Sequence, residues 1–195
     1  IQATRIRCCG RGWAGRLKRW FEAKEPGDNA LFNLGISGAT TEHLLDRIKM
    51  EAKHRQPELI IISIGSNDLS RRPRKDSPNG VSLAEFSKNL TKIIKIAKKF
   101  TKQIVLLSFT PFDEKKTLPV PWGVYYSLED EHRYYKKMKE IVRKEKIYFI
   151  DIFGLWLAFR EKYKKLLYDG LHPNPRGHEQ IFKSVLKFLK QKKLV

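Results

Sequence analysis

The segment Asp169-Gly170-Leu171-His172 places a carboxylate and an imidazole three residues apart, with a glycine between them. A tight turn at that spacing can aim one side chain at the other. The carboxylate would hold the ring's Nδ1–H and leave Nε2 free as a general base. Pro173-Asn174-Pro175 follows and reads as a helix start. Asn174 would be the N-cap and Pro175 the first helical residue. The same residues also make an ordinary turn, because Asp-Gly and Asn-Pro are common turn dipeptides. What separates the two readings is whether other parts of the chain bring polar groups to the same place.

The elements that would do so follow from hydrophobic periodicity. Trp13, Leu17, Trp20 and Phe21 repeat at helical spacing. Residues 30–36 read as a short apolar strand that runs into Ser37-Gly38-Ala39-Thr40-Thr41. A helix then carries Leu44, Leu45, Ile48 and Ala52 on one face, with Thr41 as its N-cap and Pro57 beyond its end. Residues 59–64 are a β-branched run with the look of a central parallel strand, ending in Gly65-Ser66-Asn67-Asp68. Ser82 and Glu85 make a capping box ahead of a helix that buries Phe86, Leu90, Ile93 and Ile94. Residues 103–109 and 147–152 read as two more strands. Between them lie a loop at 112–127 rich in rings and a helix capped by Ser127. That loop either walls a pocket with Trp122, Tyr125 and Tyr126 or is pinned to the surface by them. The last helix buries Ile181, Phe182, Val185 and Leu189. Strands alternating with helices predict one α/β domain over residues 1–195 with a mostly parallel sheet. Ligands of such sheets bind outside the strand C-termini. Gly35, Gly65-Ser66-Asn67-Asp68 and the Asp169/His172 pair all fall at or after strand ends.

Composition narrows the class. With 41% hydrophobic and 31% charged residues the chain is globular rather than disordered. No apolar run reaches the roughly 18–20 residues of a membrane span. The two cysteines, Cys8 and Cys9, are adjacent and cannot frame a disulfide scaffold, so a reducing, cytoplasmic compartment is expected. The net charge of +19 invites a nucleic-acid reading. The lysines, however, are spread over every predicted helix, and no zinc-finger or RNA-binding signature accompanies them. Solvated helix faces, or attraction to anionic lipid or substrate, fit the spread better than specific nucleic-acid binding. His43, His54, His132 and His178 have no paired ligand spacing, so no metal or other cofactor is expected.

Acyl transfer needs a nucleophile, a base, an orienter for the base and donors for the oxyanion. His172 and Asp169 supply base and orienter. Asn67 can present a side-chain NH₂, and Gly35 a backbone N–H with no Cβ in the way. With these residues in order, the chain from Gly12 onward resembles the GDSL (SGNH) hydrolase family of esterases, lysophospholipases and thioesterases. Asn33-Leu34-Gly35-Ile36-Ser37-Gly38 is similar to the family's second block, Gly65-Ser66-Asn67-Asp68 to its third and Asp169-Gly170-Leu171-His172-Pro173-Asn174 to its fifth. The resemblance implies a three-layer α/β/α, flavodoxin-like fold. It also implies Gly35 and Asn67 as oxyanion donors, Asp169 and His172 as catalytic, and a small-molecule carboxylic ester or thioester as substrate.

One block is missing. The family opens with a strand ending in Gly-Asp-Ser, whose serine is the nucleophile, and no Gly-Asp-Ser occurs here. The register puts that block near residues 1–6, with Gln2 near the serine position. The sequence in hand could be a fragment, could carry a corrupted start, or could be a non-catalytic binding domain built on the same fold. Ser37, in Gly35-Ile36-Ser37-Gly38-Ala39, nearly spells the nucleophile elbow of another hydrolase fold, but its last position is alanine and it reads better as a helix-start residue. Without the first strand, residues 30–36 and 59–64 would flank an empty slot, and the chain is expected to be poorly stable or prone to aggregate.

Overall fold

Leu59–Ile62 (β1), Gln103–Leu107 (β2) and Tyr148–Ile150 (β3) form a parallel sheet in the order β1-β2-β3 in the computed structural model, which describes residues 12–195. Leu59 pairs with Gln103, and Val105 with Tyr148. Successive side chains of a strand point to opposite faces, so the middle strand, apolar from Ile104 to Leu107, must be covered twice. Ile104 and Leu106 enter a core with helices α2 (Thr41–Arg55), α3 (Leu83–Ala97) and α5 (Leu128–Glu145). Val105 and Leu107 enter a second core with α1 (Trp13–Glu22) and α7 (Pro175–Gln191). The result is a three-layer α/β/α domain. Three shorter helices lie in the connections: α4 (Glu114–Thr117), α6 (Ile152–Leu157) and a 3₁₀ helix (Arg160–Leu166).

The caps explain where the long helices begin. Ser82 accepts the Glu85 N–H ahead of α3, and Ser127 accepts the Asp130 N–H ahead of α5. Asn174 accepts two N–H groups, from Arg176 and Gly177, with Pro175 as the first residue of α7. The N-cap of α2 is Thr40 rather than Thr41: Thr40 closes a capping box with His43, and Thr41 is already helical. Thr41 is occupied differently. Its N–H and hydroxyl both donate to the buried carboxylate of Asp68.

Residues 30–36 are not a strand. They have no ladder partner, Phe32 and Ile36 are exposed, and among the described residues no backbone hydrogen bond joins them to β1. A strand forms only where a neighbour takes up its N–H and C=O groups. No strand of the described residues lies between this segment and β1. In its place is an apolar slot of about 440 Å³, lined by Leu17 of α1, Ile48 of α2, Leu189 of α7, Leu31 and Ile60. Among the described residues β1 pairs on one side only, with β2, and its Leu59, Ile60 and Ile61 are half-buried. Cys8, Cys9 and the Gln2 position lie outside the described residues.

Candidate active site

The turn before α7 is built by one carboxylate. Asp169 Oδ1 accepts the backbone N–H groups of Leu171 (3.0 Å) and His172 (2.7 Å). Its other oxygen, Oδ2, lies 2.7 Å from His172 Nδ1. The carboxylate thus folds the turn with one oxygen and orients the imidazole with the other. The Tyr168 N–H donates to the His172 carbonyl (2.8 Å), closing the base of the turn. Burial pushes the Asp169 carboxyl up, but hydrogen bonds from the His172 ring and from the His172 and Leu171 N–H groups outweigh it and settle the group at about 2. It is therefore ionised at neutral pH, as an orienter of imidazole must be. The indole of Trp122 lies over the other side of the ring, with centroids 5.9 Å apart, and is half exposed. The loop that carries it is tied down by hydrogen bonds from the Val120 N–H to the Val124 carbonyl and from the Tyr126 N–H to the Thr117 carbonyl.

Asn67 and Gly35 meet the same short turn. The Asn67 side-chain NH₂ donates to the Ala39 carbonyl (2.9 Å), and the Ala39 N–H donates to the Ile36 carbonyl. An amide has two hydrogens, so one of Asn67's remains for a ligand. The Gly35 N–H donates to Asn33 Oδ1 at 3.2 Å, so a ligand would have to displace that oxygen. The loop holding Asn67 is tied by hydrogen bonds. The Ser70 hydroxyl donates to the Asn67 carbonyl, and the Val81 N–H to the Asp68 carbonyl. Gly65 sits at φ +118°, and a Cβ there would lie 3.1 Å from the Phe86 ring. No hydrogen bond of the described residues joins Asn67 or Gly35 to the Asp169–His172 pair, and no serine hydroxyl is among the partners of the imidazole.

A sequence model of the GDSL-like lipase/acylhydrolase family matches residues 2–180. The chain belongs to that family. Its fold agrees: a lipase/acylhydrolase from Enterococcus faecalis superposes with a TM-score of 0.73 at 22% identity, over 92% of this chain and 85% of that one. A mutant of Axe2, an acetyl-xylooligosaccharide esterase from Geobacillus, superposes with a TM-score of 0.67 at 25% identity, over 90% and 80%. TesA does so with a TM-score of 0.69 at 21% identity, over 93% and 89%. No curated protein matches. Ester hydrolysis is the chemistry of the GDSL family, and a small-molecule ester is its class of substrate. No helix of the described residues is long and apolar enough to cross a membrane.

Sequence reading missed two buried carboxyls in the loops and helix starts around these residues. Asp68 is fully buried where β1's loop meets the first turn of α2; burial drives its carboxyl up to about 6 against the pull of the Thr41 hydrogen bonds. Glu131, in the first turn of α5, is also fully buried. The only signal for Asp68 was its place in Gly65-Ser66-Asn67-Asp68. Glu131 had none, because an acidic residue in a first helical turn is ordinarily solvated.

Proposed function

We propose that the protein, in a version that carries the family's Gly-Asp-Ser serine, hydrolyses carboxylic esters or thioesters through an acyl-serine, with His172 as the base and Asp169 as its orienter. A serine hydroxyl presented to Nε2 gives its proton to the imidazole as the oxygen attacks the ester carbonyl. The tetrahedral oxyanion is held by the Gly35 N–H and the free hydrogen of the Asn67 amide. His172 then protonates the leaving alcohol or thiol, and water reverses the steps to release the acid. That serine belongs to the family's Gly-Asp-Ser block, which this sequence lacks. The Trp122 ring, half exposed beside the base, would flank the leaving group. The adjacency of Cys8 and Cys9 supports a reducing, cytoplasmic location, which fractionation of expressing cells would test.

The 2.7 Å contact between His172 Nδ1 and Asp169, made by a carboxylate already fixed by two backbone N–H groups, carries the reading. The test is turnover of p-nitrophenyl acetate by a version of the chain that presents a serine to His172. Asn67→Ala should lower turnover by about 100- to 1000-fold, the usual cost of one oxyanion donor, with an unchanged melt. Turnover equal to that of the parent would remove Asn67 from the mechanism. Equal turnover in His172→Ala would sink the assignment altogether.

A further inference from the structure

Three hydrogen bonds hold the backbone on the two sides of Phe112, one on the Pro111–Phe112 peptide and two on the Phe112–Asp113 peptide. The Phe112 N–H donates to Glu131 Oε1 at 2.9 Å. The Phe112 carbonyl accepts the Tyr163 hydroxyl at 2.7 Å. The next N–H, that of Asp113, donates to the Gly170 carbonyl at 2.7 Å. Gly170 is the residue between Asp169 and Leu171, so this last bond reaches into the turn that aims the imidazole.

Glu131 is an expensive way to hold one N–H. The residue is 0% exposed, and its second oxygen, Oε2, has no hydrogen-bond partner. An apolar side chain would fill the space at lower cost in burial, but it would leave the Phe112 N–H without a partner. What the carboxyl supplies, then, is a fixed position for that peptide. Burial raises the group to about 9, so it is a neutral acid at pH 7 and serves as an acceptor rather than a charge.

The geometry points to Glu131 as a positioning residue for His172, acting through the backbone of Phe112 and the following Asp113 N–H on the Asp169–His172 turn. It touches no substrate. It holds the peptide whose neighbouring N–H holds Gly170, and so fixes where the carboxylate and imidazole meet. The inference rests on the reading of Asp169 and His172 as a catalytic pair.

The experiment uses the chain as it is and needs no turnover. A histidine Nδ1–H held by a carboxylate gives a proton NMR resonance at low field, identified by its loss in His172→Gln. Exchange of that proton with water is measured in the parent and in Glu131→Gln, Glu131→Leu and Met138→Ala. Met138 is buried on α5 and serves as the control for loss of packing alone. Glu131→Gln keeps a neutral acceptor and should match the parent. Glu131→Leu should speed exchange by about tenfold, the equivalent of one hydrogen bond, while Met138→Ala should not change it. If Glu131→Leu does not fold, Glu131→Asp, which draws the acceptor back by one methylene, should show the same acceleration. Parental exchange in the Leu or Asp variant overturns the assignment. So does equal acceleration in Met138→Ala. A parent without the resonance, or with one that persists in Asp169→Asn, overturns the pairing of Asp169 with His172 instead, and the role of Glu131 falls with it.

Discussion

Gly170 shows how little freedom the Asp169–His172 turn has. It sits at φ +89°, and a Cβ there would lie 2.6 Å from the Cβ of Lys116, an atom next to the backbone that cannot swing away. Gly170→Ala should therefore destabilise the protein by at least about 2 kcal/mol, from the left-handed backbone and the contact together. Urea unfolding would read the loss, and a shift in midpoint of a few tenths of a molar or less would contradict it. Asp68 makes a second prediction at this scale. Its carboxyl is raised from 3.8 to about 6 in the folded state, so the native protein holds the proton more tightly than the unfolded chain does. The contribution of this group to stability is then greatest below pH 4, falls as pH rises from about 4 to 6, and levels off above. The drop attributable to this group is on the order of 3 kcal/mol. Asp68→Asn keeps an acceptor for the Thr41 N–H and should flatten that part of the profile. An unchanged slope between pH 4 and 6 in thermal melts would count against it.

At the scale of elements, what could be read in advance was local. Asp169 reaches His172 within one turn. Asn174 and Pro175 open α7, Ser82 opens α3 and Ser127 opens α5. In each case the partners lie within three residues, so the sequence carries both ends of the interaction. The helix faces and the double-sided burial of β2 were legible for the same reason, because a period of 3.6 or an unbroken apolar run belongs to a single segment. The misreadings were tertiary. Residues 30–36 have the composition of a strand, but a strand needs a neighbour and theirs is not among the described residues. Thr41 has the chemistry of an N-cap, but Asp68, far along the chain, claims its hydroxyl and N–H, and Thr40 caps instead. The 112–127 loop was open to two readings, and its rings divide between them: Tyr126 is buried, and Trp122 stands over His172. Of the candidate site, the Asp169–His172 pair was legible. The engagement of Gly35 with Asn33, of Asn67 with Ala39 and of Glu131 with Phe112 was not.

For the whole molecule, the slot beside β1 is the dominant fact. β1 offers its backbone to β2 on one side and meets no strand of the described residues on the other. An edge that none of the described strands covers is one that could recruit other chains. The protein should therefore associate as its concentration rises, seen as a growing sedimentation coefficient. A monomer that melts cooperatively and reversibly at every concentration would refute this. The slot has another consequence, for how the protein's state is judged. Among the described residues, an apolar space of about 440 Å³, lined by Leu17, Ile48, Ile60 and Leu189, could take up a hydrophobic dye beside two cores of buried residues. Anilinonaphthalene sulfonate, the usual reporter of a molten globule, should fluoresce on binding the native protein while the near-ultraviolet circular dichroism of its buried rings stays intact. For this chain, dye uptake would mark one open channel in an ordered interior, and only loss of the near-ultraviolet signal would mean that its packing had gone.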